Sequence, residues 1–142
     1  MDLQELSDRA EIQDLITRYT RAVDTRQWDD LDDVFTDDAV LDYSSVDGPV
    51  AAVGEAKSWI EKGLAGFDRY QHLIGQVAIE MEPGGEDARA TAYFTNPMVA
   101  RAPDGTESVW EVGGYYHHDL VRTPSGWRSR RMVDDVVWQR GS

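Results

Sequence analysis

The spacing of the apolar residues changes near residue 70, and this change limits the fold more than any other feature of the sequence. Leu6, Ala10, Leu15, Tyr19 and Val23, with Ile12 and Ile16 beside them, recur at steps of three to five residues. That spacing predicts an amphipathic helix over residues 3–23. Trp28, Leu31, Val34 and Phe35 give a second, short helix its apolar face. Residues 39–43 read as a short strand, and 44–50, with Asp47-Gly48-Pro49, as a loop. Ala56, Trp59, Ile60 and Leu64 place a third helix over 53–64. Beyond that point the sequence is β-rich. Residues 70–81 end at Pro83-Gly84-Gly85, and 88–102 read as a long strand whose Pro97 implies an edge position or a bulge. Turns at Pro103-Asp104-Gly105 and Pro124-Ser125-Gly126 set off strands over 108–122 and 127–139. Helices segregated from an antiparallel meander indicate an α+β fold, and the meander must curl over the helices to bury its apolar face. The 142 residues suit one domain with one core, and no internal repeat is visible.

Several function classes fall away. The chain has no cysteine, which removes disulfides, Cys-ligated zinc, iron–sulfur clusters and thiol nucleophiles, and fits a reducing cytoplasm. Met-Asp-Leu-Gln-Glu at the start is acidic and has no apolar run, so no signal peptide is expected. No segment approaches the roughly 20 apolar residues that span a bilayer. A cytoplasmic protein without a membrane partner is the expectation. The net charge of −13 repels phosphate backbones, so nucleic acid is not expected as a partner. There is no glycine-rich phosphate loop, Gly-x-Ser-x-Gly elbow or Walker pattern. His117 and His118 are strand neighbours that point to opposite faces and cannot readily share an ion. His72, His118 and Asp24 could in principle form a two-His-one-carboxylate set, but their spacing does not argue for one. No metal is expected. Five Trp, six Tyr and three Phe can fill a core or line an apolar pocket.

A set of motifs carries a resemblance. Ile12-Gln13-Asp14-Leu15, Asp24, Trp28-Asp29-Asp30-Leu31, Val34-Phe35-Thr36-Asp37-Asp38-Ala39 and Asp42-Tyr43 stand in the first part of the chain. Tyr70-Gln71-His72-Leu73-Ile74-Gly75 and Gly126-Trp127-Arg128 follow. Together they resemble the SnoaL-like branch of the nuclear transport factor 2-like superfamily, over nearly the whole chain. The resemblance implies a cone-shaped α+β barrel, with N-terminal helices packed in a curved, mostly antiparallel sheet and a deep pocket at the mouth. Members of the branch include scytalone dehydratase, bile-acid dehydratase, hexachlorocyclohexane dehydrochlorinase and SnoaL-type polyketide cyclases. Several use an Asp–His pair without metal or cofactor. In this sequence the pair falls on Asp24 and His72, 72 − 24 = 48 residues apart. A tyrosine of bile-acid dehydratase falls on Tyr19, and one of scytalone dehydratase on Tyr43. The second active-site histidine of scytalone dehydratase falls near Met98. The further aspartate of bile-acid dehydratase falls near Thr95 or Asn96. Neither complete set is therefore present.

The residue types suit proton transfer. An imidazole such as His72 titrates near neutrality and can act as a general base. A carboxylate such as Asp24, accepting its other N–H, fixes the tautomer. Phenols at Tyr19 and Tyr43 can hydrogen-bond a developing oxyanion. Arg131, which alternates with Trp127 and Ser129 on the last strand, is a candidate anchor for a polar substrate group. Trp59, Met98, Trp110 and Tyr116 either line the pocket or pack in the core. Structural readings stand beside these. Asp24 sits where a helix dipole disfavours negative charge. Asp24-Thr25-Arg26-Gln27 therefore also reads as a capping box for the second helix, with Val23 and Trp28 as its staple. His72 shares a strand face with Tyr70 and Ile74, opposite Leu73, Val77 and Ile79, and could be purely structural. The function expected is a dehydratase-like, cofactor-free lyase or isomerase acting on a small apolar, carbonyl-bearing steroid, polyketide or aromatic molecule. Epoxide hydrolysis or polyketide ring closure is a variant on the same scaffold. The alternative is a non-catalytic ligand-binding or structural subunit resembling the small subunits of ring-hydroxylating dioxygenases. Self-association is expected, with a trimer slightly favoured over a dimer, through an apolar outer face formed by Val109, Val121, Val136 and Trp138.

Overall fold

The computed structural model describes residues 1–141. Helix α1 runs Leu3–Asp24 and starts at Asp2, whose carboxylate accepts the Glu5 N–H at 2.8 Å. Its buried stripe is Ile12, Leu15, Ile16, Tyr19 and Val23. Leu6 and Ala10, expected on the same face, lie exposed, because the buried face of this part of the helix runs through Asp8 instead. The helix ends in a Schellman turn. Gln27 N–H bonds the Ala22 carbonyl and Arg26 N–H bonds that of Val23. Arg26 holds the left-handed position, φ 58°, which usually favours glycine. Its guanidinium bonds the Phe67 carbonyl at 3.1 Å and lies over the Tyr70 ring.

The expected second helix is a 3-10 helix, Trp28–Asp33, with Gln27 at its N-cap and no side-chain cap. The capping-box reading of Asp24 is therefore corrected: Asp24 is the last residue of α1, and backbone groups make the turn. Strand β1 (Phe35–Asp42) begins four residues before the expected 39–43, and a bulge lies between Phe35 and Val40. A 3-10 turn at Ser44–Val46 lies in the expected loop region, and a short strand β2 (Val50–Ala52) starts at its last residue. Helix α2 (Val53–Leu64) matches the expected span, and Ala56 and Ile60 are buried.

The second half forms β3 (Arg69–Tyr70), β4 (Leu73–Met81), β5 (Asp87–Arg101), β6 (Glu107–Thr123) and β7 (Gly126–Gly141). The sheet order is β2-β1-β7-β6-β5-β3, with β4 also paired to β5. All pairings are antiparallel except that of β1 with β7, which makes the sheet mixed. It is mostly antiparallel, as expected, and does not close into a full barrel. Helix α1 packs against both β4 and β7, so the sheet wraps around it. The core between them includes Leu31, Leu41, Leu120, Trp127 and Met132, each fully buried. No helix among the described residues is long and apolar enough to cross a membrane.

Two irregularities set the positions of side chains. The run expected as one strand over 70–81 breaks at Gln71–His72, between β3 and β4. Pro97 lies on β5 opposite the break, and its carbonyl accepts the Gln71 N–H at 3.3 Å. Its nitrogen faces the same side and has no hydrogen to offer. Pro97 is thus at neither an edge nor a bulge, but where two partner strands part. The second irregularity is a bulge between β6 and β7. Leu120 pairs with Ser129 but Asp119 pairs with Arg131, so Arg130 is an extra residue.

Candidate active site

Asp24 projects from the last turn of α1 towards the break between β3 and β4. There its Oδ2 accepts the His72 backbone N–H at 2.9 Å, and its Oδ1 lies 2.6 Å from His72 Nδ1. A carboxylate accepts and does not donate, so Nδ1 carries a proton, and in the neutral ring Nε2 has the lone pair. The backbone bond satisfies an N–H that faces away from β5, since the neighbouring Gln71 N–H is the one that bonds Pro97. It also fixes where the imidazole starts. Tyr70 ties the same break to α1 by donating its hydroxyl hydrogen to the Val23 carbonyl at 2.9 Å. The His72 side chain is 4% exposed.

The imidazole borders a cavity of about 170 Å³ whose lining is mainly apolar. Tyr19, Tyr43, Trp59, Met98, Trp110 and Tyr116 all reach its wall, and each also packs in or against the core. Asp24 does not line the cavity and stands behind His72. Tyr116 stacks on Phe94 with ring centroids 4.1 Å apart, and both rings lie about 6 Å from that of His72. Tyr19 meets Tyr116 edge-on at 5.2 Å. The hydroxyls of Tyr19 and Tyr43 share a hydrogen bond of 2.5 Å. Burial, foremost, holds the Tyr19, Tyr43 and Tyr116 phenols well above the usual tyrosine range, so they are neutral donors at any physiological pH.

Arg131 is not part of this site. The extra residue at Arg130 reverses the alternation of β7, so Trp127 and Ser129 point inward and then Met132 and Asp134 do. Arg131 points outward, is exposed and stands 3.7 Å from Asp42. This corrects its expected role as a substrate anchor. The same reversal brings in Asp134, which the sequence reading missed. It lines the cavity, sits directly opposite Tyr116 in the β6–β7 register, and is 8% exposed. Its Oδ1 has no hydrogen-bond partner. Burial, with Asp135 and Asp42 adding to it, pushes its carboxyl up to about 7. Asn96 also lines the cavity, with its Oδ1 unpartnered. This is one of the two positions where the resemblance aligned a family aspartate, so a signal for it was present in the sequence.

The remaining histidines face apart, as strand neighbours should. His117 bonds Thr91 and Asp135 on the outer side, while His118 is buried and bonds Ser129 at 2.9 Å. Among the described residues no cluster of three His, Cys, Asp or Glu side chains is arranged to hold a metal ion.

Residues 4–133 match the profile of the SnoaL-like domain. An uncharacterized protein of Mycobacterium tuberculosis is 36% identical over 140 residues, which covers 99% of this chain and 92% of the relative. A candidate aromatic ring hydroxylase of Novosphingobium aromaticivorans has a solved structure that superimposes with a TM-score of 0.83 at 30% identity. The match covers 96% of this chain and 94% of that one. A hexachlorocyclohexane dehydrochlorinase of Novosphingobium barchaimii gives a TM-score of 0.82 at 17% identity, over 100% of this chain and 94% of that one, and shares the fold.

Proposed function

The chain belongs to the SnoaL-like domain family, and on that premise we propose that it is a dehydratase-like lyase or isomerase in which His72 removes a carbon-bound proton. The observation that carries this reading is the 2.6 Å pairing of His72 Nδ1 with Asp24 at the wall of an apolar cavity. With Nδ1–H held by the carboxylate, Nε2 is the basic atom. Asp24 acts through the imidazole: it orients the ring and stabilises the imidazolium formed when the proton arrives. The chemistry needs no metal or cofactor, because the imidazole takes the proton and neutral phenols can receive the developing charge. The hydroxyls of Tyr19 and Tyr43 bond each other, and the one that accepts keeps its hydrogen for an oxyanion next to the reacting carbon.

The substrate proposed is a small, largely apolar molecule with an acidic C–H next to a carbonyl. Trp59, Trp110, Phe67 and Phe94 on the cavity wall suit a flat ring system. The name of the Novosphingobium aromaticivorans relative points to aromatic molecules as well. A reading as a purely structural subunit is less well supported, because a space-filling core has no use for an imidazole held by both nitrogen and backbone at a cavity.

The test needs no knowledge of the natural substrate. β-Tetralone, a bicyclic ketone with acidic α-hydrogens, is incubated with the protein in heavy water, and deuterium uptake is followed by NMR. Protein-dependent exchange is expected, with His72→Ala lowering it by about a hundredfold or more while the circular dichroism spectrum stays unchanged. Exchange that survives His72→Ala at the parent rate removes the proposal.

A further inference from the structure

The mechanism above leaves two buried polar groups of the cavity unused. Asp134 Oδ1 and Asn96 Oδ1 are each cut off from solvent and from every hydrogen-bond donor among the described residues. Leaving a buried acceptor unpaired is costly, and a native structure accepts that cost where something else fills the gap. Both residues border the same cavity as His72. Asp134 reaches it from β7, Asn96 from β5, and His72 from the break before β4. Tyr116 neighbours both: it pairs with Asp134 across the strands and has its ring centroid 6.3 Å from that of His72.

We propose that Asp134 and Asn96 form a second polar pole of the cavity that takes a hydroxyl group of the ligand, with Asp134 as its hydrogen-bond partner and proton donor. The choice of a hydroxyl follows from what each group can offer. A hydroxyl both donates and accepts, so it can satisfy either end of the Asn96 amide while accepting from the Asp134 acid. A carbonyl or ether oxygen only accepts, and would leave one group unpaired. The raised pKa of Asp134 agrees with this, since a carboxyl titrating at about 7 keeps its proton in a large share of molecules at neutral pH. Facing it are Tyr19 from α1, Tyr43 at the end of β1 and Tyr116 from β6, with Asp42 and Asp135 as the nearby charges. None of these is a cation that would pull the proton off.

The proposal rests on His72 as the base and extends that role. A base at one pole and an acid at the other suit elimination of a hydroxyl group. His72 Nε2 takes the C–H proton, and the C–H electron pair becomes the new C=C bond. The C–O bond breaks, its electron pair leaves on oxygen, and that oxygen takes the Asp134 proton and departs as water. Imidazolium and carboxylate remain, and one proton passed from the first to the second through solvent restores both.

The experiment uses α-naphthol and its methyl ether as probes, with calorimetric titration of the intact protein. The parent is expected to prefer the naphthol by about tenfold. Asp134→Ala or Asn96→Ala should shrink that preference to about twofold, while His72→Ala should retain it. Infrared difference spectra supply a second readout. A carboxylic-acid C=O band, absent in Asp134→Asn, should shift on adding α-naphthol and not on adding the ether. A preference that survives both substitutions, or a band that does not move, overturns the proposal. Deuterium exchange from β-tetralone reports on His72 separately. Loss of the naphthol preference with a His72-dependent exchange supports both assignments. An unchanged preference beside His72-dependent exchange sinks the second pole alone, and exchange indifferent to His72 sinks the base alone.

Discussion

A carboxyl group buried without a partner weakens a fold, and Asp134 makes that cost measurable. Its pKa is raised to about 7 in the folded protein from an ordinary 3.8. The folded state therefore holds a proton that the unfolded chain has released. The favourable contribution of the group is complete below about pH 4 and is lost as pH rises through 7. Asp134→Asn should remove that loss. By scanning calorimetry the variant is expected to melt several degrees above the parent near pH 8 and close to it near pH 4; a variant no more stable near pH 8 would show that burial does not set the acidity. His118 works in the opposite direction. Burial first, and the neighbouring His117 second, push it down to about 4 from 6.5, so its contribution is present above about pH 6.5 and lost as pH falls towards 4. With Asp134 replaced, stability should rise with pH across that window. At the other pole, Asp24→Asn offers His72 an amide that can donate to Nδ1 and favour the wrong tautomer. A drop of about a hundredfold to ten-thousandfold in β-tetralone exchange is expected, without unfolding.

At the scale of the element, strand irregularities decide what the sequence could disclose. Helix α2 has the predicted bounds, because helical spacing is local and nothing interrupts it. The pairing of Asp24 with His72 was legible through motifs that lie 48 residues apart. Asp134 was not legible. Strict alternation from Trp127 puts Arg131 inside, and the extra residue at Arg130, set by pairing with β6, moves the next inward positions, Met132 and Asp134, by one. The same effect appears in β4, where a register shift between Ile74 and Val77 turns Val77 and Ile79 inward beside Ile74. The loop before β2 holds another constraint. A Cβ at Gly48 would lie 2.6 Å from the Trp59 ring and 2.7 Å from Tyr43 Cβ. Gly48→Ala must displace the tryptophan that packs on Tyr43. Expected results are weakened binding of α-naphthol by about tenfold or more and a changed tryptophan emission; unchanged emission would show that the wall accommodates the methyl group.

At the scale of the whole molecule, the outer face of the sheet carries unburied apolar side chains. Leu73, Tyr93, Val109, Val137 and Trp138 are all exposed, and several meet in a shallow groove between β4, β5, β6 and β7. Of the expected face, Val109 and Trp138 lie outside, whereas Val136 packs against the core and Val137 takes the exposed place. This patch predicts self-association. Light scattering should return a multiple of the chain mass, and Val137→Glu should return a single chain; a parent that stays single at high concentration would refute it. A different long-range dependence follows from α1. Near its start, Asp8 bonds Arg122 at 2.7 Å and the Trp127 indole at 3.1 Å, and the Arg122 hydrogen bond holds its carboxyl below the usual range. Asp24 lies 24 − 8 = 16 residues further on, a span of about 24 Å. The helix behaves as a strut bolted at one end and aiming a carboxylate at the other. Asp8→Asn should therefore loosen that aim and slow deuterium uptake by β-tetralone, although the altered side chain never comes near the ketone.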